Sequence, residues 1–201
     1  TRPGITLHSL DLMPRTTLAQ AMDVLSSVAS ISGYQAVLLA AKRSLATVPM
    51  ITSAGGTLRP ARFLIMGAGV AGLQAIATAR RLGAVVKAYD VRSAAKDEVE
   101  SLGAEFITIE GAQEDRKAGG YAVEQSADQL ERARVRIQQE ASEADIIITT
   151  ARIPGRRAPV LITREMVGIM KAGAVIVDLA AATGGNCELS EADRTVMHGE
   201  V

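Results

Sequence analysis

The sequence has no tryptophan, and its aromatic residues are two phenylalanines and three tyrosines among 201 residues. That scarcity argues against an aromatic-rich β-sandwich and against a base-stacking platform. It also lacks a charge excess. Lys plus Arg is 22 and Asp plus Glu is 22, for a formal net charge of +0 and a pI near 6.7. A nucleic-acid binder needs a basic excess to neutralise phosphates, and a membrane-surface protein of the polybasic kind needs one too. Neither partner is expected. Cys187 is the single cysteine, so no disulfide forms within the chain and a reducing compartment is expected. The two histidines, His8 and His198, sit near the chain ends without metal-ligand spacing, and no metal site is expected. Uninterrupted apolar runs such as Ala36 to Ala41 fall far short of the roughly 20 residues of a membrane span. The opening Thr1-Arg2-Pro3-Gly4 has neither an initiator Met nor a signal-peptide core, which predicts a piece of a longer protein.

What the chain has in quantity is small residues: 34 alanines and 18 glycines. Close-packed backbones and small-residue helix faces follow. The composition suits a parallel α/β protein, and about 200 residues suffice for one sizeable core, or one core with an appendage. Leu18, Met22, Leu25, Ala29, Ser32, Ala36 and Leu39 recur at three- and four-residue steps. They predict a helix from Leu18 to Lys42, with Thr17 and Gln20 as a capping box. Pro49, Gly55, Gly56 and Pro60 mark a loop after it. Residues 1–57 then form an N-terminal segment with a long helix, and residues 58–201 a doubly wound domain. In that domain, strands are predicted at 62–66, 85–89, 105–109, 145–150 and 174–178. Helices are predicted at 70–82, 94–102, 126–143 and 163–170. The alternation implies a parallel sheet with helices on both faces, a Rossmann-type architecture.

The strongest chemical signal is Gly67-Ala68-Gly69-Val70-Ala71-Gly72, lying between a predicted strand and a predicted helix. Gly67 permits the tight turn, Gly69 removes a side chain where a pyrophosphate would approach, and Gly72 lets the helix pack on the strand. The helix N-terminus adds oriented N–H groups. Asp90 ends the second strand, so the 30-residue unit from Ala61 to Asp90 has the length and the acid of a dinucleotide-binding βαβ unit. A carboxylate at Asp90 would accept from ribose hydroxyls and repel a 2′-phosphate, favouring NAD over NADP. Arg92 cuts the other way, because an arginine there could receive that phosphate. A solvated strand-end acid is the plainer reading of Asp90.

Other groups are more open. Arg15, Gln20, Asp23 and Ser26 form a polar cluster at the start of the long helix. Capping and dipole complementation account for it as well as a binding role does. Gly119-Gly120-Tyr121 lies in a polar stretch that either closes over a ligand or is plain surface loop. Thr149-Thr150-Ala151 and Asp178-Leu179-Ala180 end two strands, where ligands of open parallel sheets sit. A general base for alcohol or amine oxidation cannot be nominated.

Together these stretches resemble the NAD(H)-binding subdomain of domain I of the proton-translocating NAD(P) transhydrogenases. The matching segments are RTTLAQAMDVLSS (15–27), MGAGVAGLQAIATARRLGAVVKAYDVR (66–92), AGGYA (118–122), IPGRRAPVLIT, VIVDLA and GGNCELS. The last three also resemble alanine dehydrogenases. The resemblance implies a Rossmann-type fold binding NAD(H) in a larger enzyme that moves hydride between NADH and NADP⁺, coupled to proton translocation. It assigns Arg15, Asp23 and Ser26 to the nicotinamide carboxamide and ribose, and Gln20 to the NADP(H) side. It assigns Gly67, Gly69, Val70, Ala71, Gly72, Asp90, Val91 and Arg92 to the pyrophosphate and adenosine ribose. Tyr121 would belong to a closing loop, and Thr149, Ala151 and Leu179 would border the nucleotide. The implied partners are an NADP(H)-binding domain, a proton-translocating membrane domain and a second copy. The implied location is the cytoplasmic face of a bacterial inner membrane or the matrix side of a mitochondrial one. The chain departs from the family pattern at Arg152, where a leucine is usual. It departs again at Ala181-Ala182-Thr183, where an acid usually precedes Gly-Gly-Asn. A nucleotide domain of an alanine-dehydrogenase-like enzyme and a non-catalytic NAD-binding module are the alternatives.

Overall fold

The computed structural model describes residues 4–6, 8, 10, 13, 16–109, 127–153 and 156–201. In chain order these hold α1 (Val24–Arg43), β1 (Ile51–Ser53), β2 (Gly56–Leu58), β3 (Arg62–Met66), α2 (Val70–Arg81), β4 (Val85–Tyr89), α3 (Ala95–Ser101), β5 (Glu105–Phe106), α4 (Ala127–Glu143), β6 (Ile146–Thr149), α5 (Arg164–Gly168) and β7 (Val175–Asp178). Five strands make a parallel sheet in the order β5-β4-β3-β6-β7. The strand order reverses at β3, which pairs with β4 on one side and β6 on the other. A crevice beyond the carboxyl ends is the place such a sheet offers a ligand. Tyr89, Met66, Thr149 and Asp178 stand in one register row across the sheet. The residues that follow that row form the crest.

The inner strands read as continuous apolar runs because both sheet faces are covered. On one face Phe63, Ile65 and Ile148 pack with Ala36, Val37 and Ala40 of α1 and with Ala75, Ile76 and Ala79 of α2. On the other, Leu64, Met66 and Ile147 pack with Ile137 and Ala141 of α4 and with Met166 and Val167 of α5. Glu140, buried on α4, joins Lys87 of β4 at 3.0 Å and Arg136 at 2.6 Å. Burial works against the Lys87 charge, but the Glu140 hydrogen bond and charge, with Glu105, lift the ammonium above its ordinary pKa.

Three expectations are corrected. The long helix does not begin at Leu18 on a Thr17–Gln20 box. The Thr16 carbonyl accepts from both Ala19 and Gln20 at 3.0 Å, and the Met22 and Asp23 N–H groups donate to the Ala19 and Gln20 carbonyls at 2.9 and 3.2 Å, which makes Gln20–Met22 a 3-10 turn. Asp23 then caps α1, accepting from the Ser26 N–H at 3.0 Å and the Ser26 hydroxyl at 2.7 Å. The loop after α1 contains an antiparallel hairpin, Ile51↔Leu58 and Ser53↔Gly56. All of its strand residues are exposed, so it leaves no buried alternation to read. Finally, α1 is long and apolar enough, by length and composition, to cross a membrane. Serine, glycine and glutamine interrupt its apolar runs without lowering the average much. Here it packs on one face of the sheet. Gly33, Ala36, Val37 and Ala40 are its buried face, and Leu25, Val28, Ile31 and Leu39 are exposed.

Two contacts position the crest. A Cβ on Gly33 would run into the carbonyl of Ala71 in the first turn of α2, so α1 and α2 meet backbone to backbone. The Ser30 hydroxyl donates to Gln74 of α2 at 3.3 Å beside this contact. At the other end of the crest Asn186 is fully buried. It accepts from the Ala151 N–H at 3.0 Å and donates to the Ala151 carbonyl at 2.9 Å and the Pro159 carbonyl at 2.7 Å. Asp178 accepts from the N–H groups of Ala180, Asn186 and Cys187 at 2.8, 2.7 and 3.1 Å. The loops after β6 and β7 are thus held by one another.

Gly33→Ala is expected to lower stability by about 1–3 kcal/mol through overpacking, although alanine is the better helix former by about 1 kcal/mol. Urea unfolding at unchanged m-value reads this directly, and equal or higher stability would contradict a tight α1–α2 contact. Asn186→Ala leaves half-buried groups of Ala151 and Pro159 without this partner, with an expected loss of about 1–3 kcal/mol in the same measurement.

Candidate functional site

The glycine turn joins β3 to α2, and its three glycines have three different physical reasons. Gly67 has φ +102°, a left-handed conformation that favours glycine. Its N–H donates to the Tyr89 carbonyl at 2.8 Å, and a Cβ there would lie 2.5 Å from Thr150 Oγ1. Gly72 is a packing glycine, since a Cβ on it would run into the Gly67 carbonyl. Gly69 is neither. Its φ is −77°, and a Cβ would meet nothing within 4 Å among the described residues. It is exposed, as is Val70, while Ala71 is half-buried. Gly69 also caps α2 without a side-chain acceptor. Bare backbone, open space and the partial positive charge of a helix start therefore coincide, which is what a phosphate group requires.

Asp90 follows β4 beside this turn. Its carboxylate accepts from the Ala68 N–H at 2.7 Å and the Arg92 N–H at 2.9 Å. The Arg92 guanidinium adds Nε at 2.9 Å and Nη2 at 3.0 Å. That hydrogen bond holds Arg92 above its ordinary pKa against the cost of burial, with the charges of Asp90 and Glu98 adding to it. Burial, and then the Asp90 charge, push the neighbouring Tyr89 hydroxyl up. Val91 is exposed between the pair.

Across the crest, Thr150 takes a role that sequence reasoning missed. Its hydroxyl lies 3.2 Å from the Gly67 carbonyl and 3.3 Å from that of Met66, fastening the β6 end to the glycine turn. Thr149, the expected contact, is completely buried, and its hydroxyl has no partner among the described residues. Its side chain falls inside because it is still within β6, so only its backbone stands at the crest. The Leu179 N–H donates to the Thr149 carbonyl at 2.9 Å, and Leu179 and Ala151 are half-buried there. Asn186 and Asp178 are legible in the sequence only as a turn former and a strand end. Their signal would be a buried amide and a strand-end carboxylate that ties the following loop, which one sequence does not reveal. Cys187 beside them is buried, and burial pushes its thiol up, away from nucleophilic use. The two departures from the family pattern, Arg152 and Ala182, are exposed.

Asp23 and Ser26 are brought together at the start of α1, and Gln20 is exposed in the preceding 3-10 turn. Arg15 and Tyr121 lie outside the described residues. A concavity of about 510 Å³ opens at the opposite, amino ends of the strands, lined by Arg59, Arg62, Asp145 and Lys171. Asp145 there pairs with Lys171 at 2.6 Å, and Arg62 pairs with Glu143. Among the described residues, no group of three His, Cys, Asp or Glu converges as a metal site.

Residues 36–201 match the family described as alanine dehydrogenase/PNT, C-terminal domain. The chain is 52% identical, over 99% of its length, to an NAD(P) transhydrogenase alpha-subunit polypeptide of Rhodospirillum rubrum, of which it covers 53%. To the NAD(P) transhydrogenase subunit alpha of Haemophilus influenzae it is 49% identical over 98% of its length, covering 38% of that chain. It is similar to the crystal structure of transhydrogenase from Sinorhizobium meliloti at a TM-score of 0.81 and 49% identity, covering 96% of this chain and 50% of that one. An L-alanine dehydrogenase structure shares the fold at a TM-score of 0.66 and 24% identity, covering 91% and 45% of the two chains. This chain thus spans about half the length of the Rhodospirillum polypeptide it matches. Its parallel sheet, its glycine turn and these matches place it in the alanine dehydrogenase/PNT family, to whose C-terminal domain it belongs.

Proposed function

We propose that the chain is the NAD(H)-binding portion of a proton-translocating NAD(P) transhydrogenase. In the whole enzyme, hydride passes between NADH held here and NADP⁺ on a partner domain, coupled to proton movement through a membrane domain. The observation that carries this reading is the open ground at Gly69, over an α2 start without a side-chain cap and beside Asp90. A dinucleotide fits that ground: pyrophosphate on the backbone of Gly69, Val70, Ala71 and Gly72, and adenosine ribose at Asp90, Val91 and Arg92. Thr149, Ala151 and Leu179 border the crest toward the nicotinamide end. Residues 1–57 carry Arg15, Asp23 and Ser26 to the carboxamide and ribose, and Gln20 toward the NADP(H) side. Residues 58–201 are the nucleotide domain.

The bound dinucleotide supplies the hydride. Transfer between two nicotinamide rings leaves no proton with the protein, so no general base is required. The chain's own work is orientation, close apposition and exclusion of water. A homodimer on the cytoplasmic face of a bacterial inner membrane, or on the matrix side of a mitochondrial one, completes the proposal.

Calorimetric titration is expected to give NADH binding at least about tenfold tighter than NADPH, since a strand-end carboxylate accepts ribose hydroxyls and repels a 2′-phosphate. Preference for NADPH would overturn the proposal. Mixing with an NADP(H)-loaded transhydrogenase partner domain is expected to produce hydride exchange. NADH binding without exchange would favour a non-catalytic module. Reductive amination of pyruvate by the longer protein would favour an alanine-dehydrogenase-like enzyme.

A further inference from the structure

Asp90 has no acceptor position to spare. A carboxylate offers about four lone-pair sites, and four donors fill them: Ala68 N–H at 2.7 Å, Arg92 N–H at 2.9 Å, Arg92 Nε at 2.9 Å and Arg92 Nη2 at 3.0 Å. The carboxylate is 8% exposed and the arginine side chain 34% exposed. The two backbone donors are fixed by the glycine turn and the strand end. Of the four, only the guanidinium sits on a rotatable stem with a side open to solvent. A ribose whose hydroxyls donate to Asp90 must therefore take places that Arg92 holds. Glu98 on α3 is a second negative charge acting on Arg92, and it gives a released guanidinium a reason to stay at this rim.

We propose that Arg92 is a specificity-determining residue: a cation held by Asp90 that becomes a receptor for a ribose 2′-phosphate once the Asp90 charge is removed. The proposal rests on the reading of Asp90 as the ribose acceptor. It adds that Asp90 acts twice against a phosphorylated ribose. Its charge repels the phosphate, and its carboxylate keeps occupied the fork that would bind it. An arginine fork matches phosphate geometry in two parallel hydrogen bonds, so the capacity is latent in the side chain already present.

The test is calorimetric titration of NADH and NADPH against the full chain and its variants Asp90→Ala, Asp90→Asn, and each of these combined with Arg92→Ala. Thermal melts establish that each variant is folded. Asp90→Asn keeps an acceptor for the Ala68 N–H and serves if Asp90→Ala fails to fold. Removing the charge is expected to weaken NADH binding about tenfold, the loss of a charged acceptor. It is also expected to tighten NADPH binding about tenfold, as a phosphate gains a charge-assisted pair. Adding Arg92→Ala is expected to abolish the NADPH gain and leave the NADH loss in place. No NADPH gain on removing the charge, or a gain that survives the loss of Arg92, would overturn this proposal alone. Failure of the native chain to bind either dinucleotide would overturn it together with the proposed function.

Discussion

The first turn of α2 is squeezed between two backbones, and the site follows from that squeeze. On one side Gly72 lies so close to the Gly67 carbonyl that no Cβ fits between them. On the other, Gly33 of α1 lies equally close to the Ala71 carbonyl. The helix start cannot move away from the end of β3, and α1 cannot move away from the helix start. Backbone contacts of this kind transmit position more faithfully than side-chain contacts, because no rotamer can absorb an error. Gly69, between the two constrained residues, has open space over it among the described residues. The abundance of alanine and glycine, and the lack of tryptophan, are the compositional trace of such an arrangement. Large side chains would push the layers apart and lift the turn off the strand.

Much of this is legible in the chain itself. The glycine turn, the strands on either side of it and Asp90 can be placed because each rests on a local rule: a backbone that favours φ > 0, an apolar run, an acid after it. The start of α1 is misplaced by sequence reasoning for an equally local reason. Thr17 with Gln20 fits the capping-box pattern, but the Ala19 and Gln20 carbonyls take the Met22 and Asp23 N–H groups in a 3-10 turn, which leaves the cap of α1 to Asp23. The hairpin 51–58 is invisible because a pattern shows only where one face is buried. Thr150, Asp178 and Asn186 read as strand ends and turn formers, not as the ties of the crest. They act on partners 83, 8 and 35 residues away in turn, and one sequence carries no record of such pairings.

For a related reason periodicity reveals the helix α1 but not which of its faces is inward. A helix apolar on one side declares which side is inward. In α1 both sides are apolar: Gly33, Ala36, Val37 and Ala40 pack on the sheet, and Leu25, Val28, Ile31 and Leu39 are exposed. What distinguishes the inward face is size, not polarity. Apart from Val37, small residues face α2 and the sheet, where backbones approach closely, and larger residues face away.

The chemistry of the crest has the same economy. It presents a bare glycine, helix N–H groups without a side-chain cap and one acid–arginine pair. Among the described residues it sets no histidine or reactive thiol beside them. A site that must abstract a proton needs a group whose pKa is poised near the working pH, and Cys187, the thiol beside the crest loops, is driven the other way by burial. Hydride passing between two nicotinamides makes no such demand. It asks for two rings held at contact, in the right facial sense and away from water. Rigid backbone meets that demand better than titratable side chains do, because it brings no competing protonation state. The charged pair at the crest is Asp90–Arg92, where the proposed reading puts the group that distinguishes one nicotinamide dinucleotide from the other. On the proposed reading, charge at this crest selects and backbone positions.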